Sequence, residues 1–250
     1  MVRLTAGLGD AVVWHDVECG GYDADLTLWR ELADAEGDPV LEIGAGTGRV
    51  ALDLARRGHD VTALDHDAQL LDALRERAAA AGLPVTTLVA DARDFDAGRR
   101  FALCLVPMQT LQLLGGRPGR RRFWRRAQAH LQPGGLLAAA VAVGLESYAP
   151  ERGDDLPLPD VREVEGWVLA SQPVAIRPQR HGTTIERVRQ LVAPDGRRTQ
   201  RREVVRLDRL DAATAAAEAE EAGLAALTPR EIPDTPDHLG SEVVLLRAPG

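Results

Sequence analysis

The stretch from Val40 to Ala55 reads VLEIGAGTGRVALDLA, and it limits the possible folds more than any other part of the chain. An apolar run reaches glycines at 44, 46 and 48, then passes into a pattern with apolar residues at Val50, Leu52, Leu54 and Ala55. That order spells a strand, a turn of bare backbone and a helix. A turn of this kind belongs to an α/β sheet, whose carboxyl edge is where such folds bring main chain against a ligand.

The pattern repeats downstream. DVTALD predicts a second strand, and AQLLDALRERAAAAG a helix with Leu70, Leu71 and Leu74 on one face. VTTLVA and FALCLVP follow as strands, then the arginine-rich helix RRRFWRRAQAHL, the stop PGG and the strand LLAAAVAV. Near-continuous apolar strands alternating with helices predict a parallel sheet covered on both faces. Upstream, Leu26, Trp29 and Leu32 predict a helix docked on that sheet.

The character changes at about Glu146. TTIERVRQLV and RRTQRREVVRL flank APDG, a turn signal, and predict a hairpin. VREVEGWVLASQPVAIR reads as one further segment paired with it; AATAAAEAEEAG then returns to helix, and LTPREIP and SEVVLLRA close as two strands. The expected organisation is one domain: an N-terminal helical cover over 1–38, a ligand-binding core over 39–145, an inserted β region over 146–210, and a last helix with two strands over 211–250.

Composition excludes several functions. A formal charge of −8 does not suit a nucleic-acid binder. The chain has no lysine, all 30 Lys and Arg positions being arginine, which removes Schiff-base chemistry and a P-loop lysine. Cys19 and Cys104 are too few for a disulfide framework or a structural zinc site. MVRLTAGLGD lacks a signal-peptide core, and LLAAAVAVGL is too short to span a bilayer. The expectation is a reduced, soluble, cytoplasmic monomer or homodimer with a small-molecule substrate, no metal, and no nucleic-acid or membrane partner.

The turn itself narrows the ligand. Its glycines follow Glu42-x-Gly44-x-Gly46-x-Gly48, whereas a dinucleotide pyrophosphate calls for Gly-x-Gly-x-x-Gly. A carboxylate two positions before the first glycine repels phosphate and suits an ammonium or sulfonium group. Asp65 ends the second strand, seventeen residues after Gly48, where a carboxylate accepts from ribose hydroxyls, a geometry shared with NAD enzymes. Asp91 follows the third strand, within reach of an adenine amino group.

These segments, with LVADARDF and HLQPGGLLAAAV, resemble the class I S-adenosylmethionine-dependent methyltransferases over roughly Tyr22 to Val143. Within that family the chain is similar to glycine and amino-sugar N-methyltransferase-like members. The resemblance implies a Rossmann-like, seven-stranded mixed sheet of order 3-2-1-4-5-7-6, with helices on both faces and the β insertion acting as a lid. It implies S-adenosylmethionine as cofactor and methyl transfer to a nitrogen or oxygen of a small molecule, with nitrogen favoured by analogy with the lid.

By the same resemblance Gly44, Ala45 and Gly46 admit the methionine and ribose portions, and Glu42 orients that backbone or the amino group. Asp65 holds the ribose, His66 and Leu70 flank the adenine, and Asp91 with Ala92 holds its edge. Tyr22, in a Tyr-Asp entry, covers the cofactor; Pro107 and Met108 line it, and Gln109 faces the acceptor. Gly48 is open between ligand approach and close helix packing. Trp167, Arg177, Arg180 and His181 are the lid side chains best able to meet a substrate. His238 beside Asp237 is a candidate general base, with His15 and Asp16 as the competing pair. His130 reads as structural, and the arginines between 117 and 126 as a solvated helix face, with binding of an acidic substrate group or partner as the alternative. A non-methyl reaction on the same cofactor, or a non-catalytic binding role, stands as the alternative; the glycine spacing disfavours a nicotinamide dehydrogenase.

Overall fold

The computed structural model describes residues 10–145, 157–235 and 238–250. Helices α1 (Asp10–Cys19) and α2 (Leu26–Glu36) precede β1 (Val40–Ile43), α3 (Arg49–Arg56), β2 (Val61–Asp65), α4 (Ala68–Ala80), β3 (Val85–Val89) and β4 (Phe101–Val106). A short 3-10 helix (Thr110–Leu113), α5 (Gly116–His130) and β5 (Leu131–Ala142) complete the first half. Then come β6 (Asp160–Val164), β7 (Trp167–Gln179), β8 (Gly182–Val192), β9 (Arg198–Asp208), α6 (Ala212–Glu220), β10 (Ala225–Ala226), β11 (Arg230–Ile232) and β12 (Ser241–Arg247).

The larger sheet runs β10-β12-β5-β4-β1-β2-β3, with β11 also paired to β12. The pairs among β1 to β5 are parallel; β12 lies antiparallel to β5. The predicted order therefore holds. The chain winds outward from β1 through β2 to β3, then restarts at β4 on the other side of β1. That reversal opens a crevice at the carboxyl ends of β1 and β4.

Strands β1, β2 and β4 are buried at every position, as a parallel sheet with both faces covered requires. One face packs Phe101, Phe123 and Trp124 beneath α5 and α6; the other packs Trp29, Leu54 and Leu74 beneath α2, α3 and α4. Each such side chain contributes about 1.5–3 kcal/mol through burial. Trp29 also donates from its indole nitrogen to Asp25 (2.7 Å), and Arg49 grips the same carboxylate at 2.5 and 2.7 Å. The start of α3, directly after the glycine turn, is thereby pinned to the start of α2.

Two expectations need correction. The stretch 161–177 is not one strand: it folds back at Glu165 and Gly166, with φ of 50° and 78°. Two left-handed residues in succession make the two-residue hairpin turn that matches strand twist, and the insertion becomes a four-stranded antiparallel sheet, β6-β7-β8-β9. LTPREIP is likewise not one strand. Only Arg230–Ile232 (β11) within it forms a strand against β12, following Pro229, which offers no N–H to the ladder, while the short β10 lies just before the segment.

Helix α1 sits where a helical cover was expected, but it is apolar toward two different neighbours. Val12 packs with Leu70 and Ala73 of α4, while Val13, Trp14 and Val17 pack with Leu169 of β7. The helix is wedged between the larger sheet's α4 and the second sheet. No helix among the described residues is long and apolar enough to cross a membrane.

Candidate functional site

The glycine turn hangs from the end of β2. Gly44 and Ala45 both donate to Leu64 O, at 2.8 and 3.0 Å, and Gly46 donates to Asp65 Oδ2 at 2.9 Å. Gly44 and Gly46 have φ of 74° and 55°, left-handed values that favour glycine. What stands on them is protein. A β-carbon at Gly44 would lie 2.6 Å from Thr110 Oγ1, and one at Gly46 would lie 2.2 Å from His15 Nε2. Side chains are thus forbidden here by the 3-10 helix and α1 as well as by any ligand. Gly48 meets Leu74 and Leu52 at 2.7 and 3.1 Å, so its bareness serves the packing of α3.

Asp65 is buried and held by two main-chain donors, Gly46 N–H and Asp67 N–H, each at 2.9 Å. A carboxylate fixed in this way presents its remaining lone pairs at the carboxyl edge of β2, the geometry a ribose diol requires. His66 is exposed, with Nδ1 3.2 Å from Asp65. Glu42 is buried beneath the turn, and its Oε2 has no hydrogen-bond partner among the described residues. Burial pushes its carboxyl up to about 8 against the opposing charge of Arg49.

Asp91 lies half-exposed, its carboxylate gripped by Arg93 Nε and Nη2 at 2.9 and 2.6 Å; that pairing lowers it to about 2. Ala92 and Leu70 are buried, Leu70 beside Val12 of α1. At the end of β4, Pro107 is buried and Met108 takes φ of 55°, a strained conformation for a side-chain-bearing residue. Met108 packs with the cluster that holds Tyr22 and Ala45, and Gln109 follows it half-buried.

Tyr22 is buried, and burial chiefly raises its hydroxyl to about 12. Its ring lies 4.9 Å from that of His238, tilted by 44°, and Arg49 stands 5.1 Å from the ring centre. The structure therefore brings His238 to the tyrosine expected to cover the cofactor, although the two are far apart in sequence. Asp237 lies outside the described residues.

The remaining candidates fall elsewhere. Trp167 packs against α1 with Val13, Trp14 and Val17. Arg177 is exposed and bonded to Glu186 at 2.7 Å. Arg180 and His181 line a cavity of about 930 Å³ beside Gln112, Arg120 and Asp208, with no residue of the glycine turn in its walls. His130 is structural: Nδ1 meets Arg126 O at 2.8 Å, and Nε2 accepts from Ala97 N–H.

The competing pair resolves into separate roles. Asp16 accepts from Thr47 Oγ1 at 2.8 Å and from Arg77 at 2.9 and 2.5 Å, and pairs with Arg162 at 2.8 Å. Burial raises its carboxyl, but these hydrogen bonds and charges outweigh that and hold it below its ordinary value. His15 is shifted down by burial, against the pull of Asp16 and Asp65, so it is neutral near neutral pH. Sequence reasoning missed Thr110 and the seat of His15. The one available signal was DAVVWHDVEC, whose valines and tryptophan cover two faces of a helix.

The donor set fits S-adenosylmethionine. An orphaned buried carboxyl at Glu42 and an organised carboxylate at Asp65 suit a cationic nucleoside. Residues 40–135 match the family described as a methyltransferase domain. Over 76 residues the chain is 47% identical to a ribosomal RNA small subunit methyltransferase A of Deinococcus radiodurans; the match covers 29% of this chain and 25% of that one. The chain thus spans about a quarter of the length of the curated relatives it matches. An amino pentose methyltransferase of Micromonospora echinaspora, bound to S-adenosylmethionine, superposes with TM-score 0.71 at 22% identity, covering 97% of this chain and 99% of that one. A sugar N-methyltransferase of a Streptoalloteichus species superposes with TM-score 0.72 at 18% identity, over 100% and 99% of the two chains. Strand order, glycine turn and matched segment agree: residues 40–135 are similar to a methyltransferase domain, and the whole chain shares the fold of these solved methyltransferases.

Proposed function

We propose that this chain transfers the methyl group of S-adenosylmethionine to a nitrogen of a small-molecule acceptor of the amino-sugar type. The observation that carries the reading is the buried Asp65 carboxylate, oriented by two main-chain N–H groups at the switch point of the sheet. The orphaned Glu42 oxygen beside it supports a cationic ligand. The full-length likeness to an amino pentose methyltransferase and a sugar N-methyltransferase supports the acceptor class. The free thiols of Cys19 and Cys104 suit a reducing, cytoplasmic setting.

When bound, the cofactor supplies an electrophilic methyl on a sulfonium whose leaving group is a neutral thioether. The protein's work is then mainly placement and exclusion of water. Asp65 holds the ribose, Glu42 faces the amino group, and Tyr22 closes over the reacting end beside Pro107 and Met108. The second sheet serves as the lid, and Gln109 reaches the acceptor. His238, stacked near Tyr22, accepts the proton that an acceptor ammonium must lose before its lone pair can attack.

Calorimetry with S-adenosylmethionine, S-adenosylhomocysteine and NAD tests the cofactor. The first two bind and NAD does not, and Asp65→Asn weakens S-adenosylhomocysteine by about 10- to 100-fold, the worth of hydrogen bonds to a charged group. Formation of S-adenosylhomocysteine with amino sugars, but not with matched hydroxy sugars or phenols, tests the acceptor. Binding of NAD in place of the other two overturns the reading.

A further inference from the structure

Helix α1 touches both halves of the site described above. Its apolar residues divide between α4 and the second sheet: Val12 toward the first, Trp14 and Val17 toward the second. Its polar residues divide the same way. His15 rests on Gly46 of the glycine turn, with Nδ1 3.3 Å from Thr47 Oγ1. Glu18 takes Arg189 at 2.6 and 2.7 Å and Ser171 at 2.6 Å, both from the second sheet.

Asp16 joins the two sets within one carboxylate. Oδ1 accepts from Thr47 of the glycine turn and from Arg77 of α4, while Oδ2 meets Arg77 again and Arg162 of β6. The carboxylate is only 6% exposed, so these contacts are shielded from water far more than an ordinary surface pair. Any displacement of the glycine turn that moves Thr47 shifts the anchor of Arg162, and the reverse holds equally.

We propose that Asp16 is a positioning residue that couples cofactor binding at the glycine turn to the placement of the second sheet. It rests on the cofactor reading above and goes beyond it, because it names the route by which one ligand's arrival orders the surface that meets the other. The order of events follows. Contacts to the turn tighten His15 and Thr47 on the turn's own backbone, Asp16 transmits the tightening, and β6 is drawn in through Arg162. Reciprocity is required of such a coupling: whatever fixes β6 also tightens the cofactor's affinity by the same factor.

Hydrogen-exchange mass spectrometry of the full chain, with and without S-adenosylhomocysteine, tests the route. In the wild type the ligand slows exchange in both α1 and β6. Arg162→Ala, at a half-exposed position where folding is not at stake, keeps ligand-induced protection in α1 and loses it in β6. Asp16→Asn loses both and weakens S-adenosylhomocysteine about tenfold, within the usual range of coupling between sites. A merely structural role would lower stability without altering the ligand-induced difference. Equal protection of β6 in wild type and Arg162→Ala overturns the proposal, as does full-strength binding by Asp16→Asn. Failure of the wild type to bind S-adenosylhomocysteine overturns the cofactor reading itself, a result distinct from either.

Discussion

Strand β4 is buried at all its positions, whereas β9, nearly twice as long, is exposed along most of its length. The centre of the larger sheet, β1, β2 and β4, is held by side chains pressed from both faces, with no position open to water. The second sheet is held by backbone pairing and by charge across its strands, Arg187 with Asp160, Arg177 and Arg202 with Glu186, Arg189 with Glu203, and Arg189 also ties it to Glu18 of α1. One region is a platform that fixes the carboxylates of the turn. The other is a surface whose exposed pairs can shift at small cost, which is what the lid proposed above calls for.

The sharpest test of that contrast is a pair of truncations. Phe101→Ala removes a fully buried ring from the core beneath α5 and is expected to cost about 3–5 kcal/mol. Val204→Ala, on the part-exposed face of β9, is expected to stay within about 0.5 kcal/mol. Denaturant midpoints at constant slope measure both. Similar costs at the two positions would dissolve the distinction between platform and covering.

The same contrast explains what was legible in the sequence. Strands β1, β2, β4 and most of β5 could be read because each apolar run is a local record of burial on both faces. The turn could be read because only glycines tolerate its conformation at 44 and 46. The hairpin at Glu165 was not legible: its two left-handed residues interrupt a run whose apolar alternation continues on either side. Helix α1 was legible as a cover only. Its role depends on partners at Arg77, Arg162 and Arg189, which lie about 60 to 170 residues away along the chain. The meeting of His238 with Tyr22 is likewise a product of the closed fold. Arg93 next to Asp91 was in plain view, but nothing in local spacing says that a neighbouring arginine will fold back onto a carboxylate.

Glu42 offers a finer probe of the platform. Its carboxyl is lifted by burial to about 8 from an ordinary 4.5. The native state therefore keeps its proton through that window, and the stability this contributes is complete below about 4.5 and lost as pH rises toward 8. Glu42→Gln removes the titration, so its melting temperature exceeds that of the wild type by a few degrees at pH 8, and by less at pH 5. At neutral pH the wild type starts largely protonated, and on the placement proposed above an ammonium docking beside the carboxylate expels the proton. S-adenosylmethionine binding at pH 7 then shows a heat that depends on the ionisation enthalpy of the buffer, and Glu42→Gln abolishes the dependence. A buffer-independent heat in the wild type would place the amino group elsewhere.

The smallest expected effect lies in the second sheet and concerns salt. Screening shortens the reach of charge from about 10 Å at 0.1 M to about 3 Å at 1 M, and it acts on exposed pairs far more than on buried ones. The pairs of Glu186 with Arg177 and Arg202 are exposed on the arginine side and tie β7, β8 and β9 across their width. Raising sodium chloride through that range is expected to speed amide exchange in β8 and β9 by no more than a few-fold, because surface pairs contribute little individually. Exchange in β1, β2 and β4 should stay unchanged, since apolar burial on both faces has no charge to screen. Were the buried strands to loosen with salt as well, the two sheets would share one source of stability, and α1 would be bracing a single body instead of joining two.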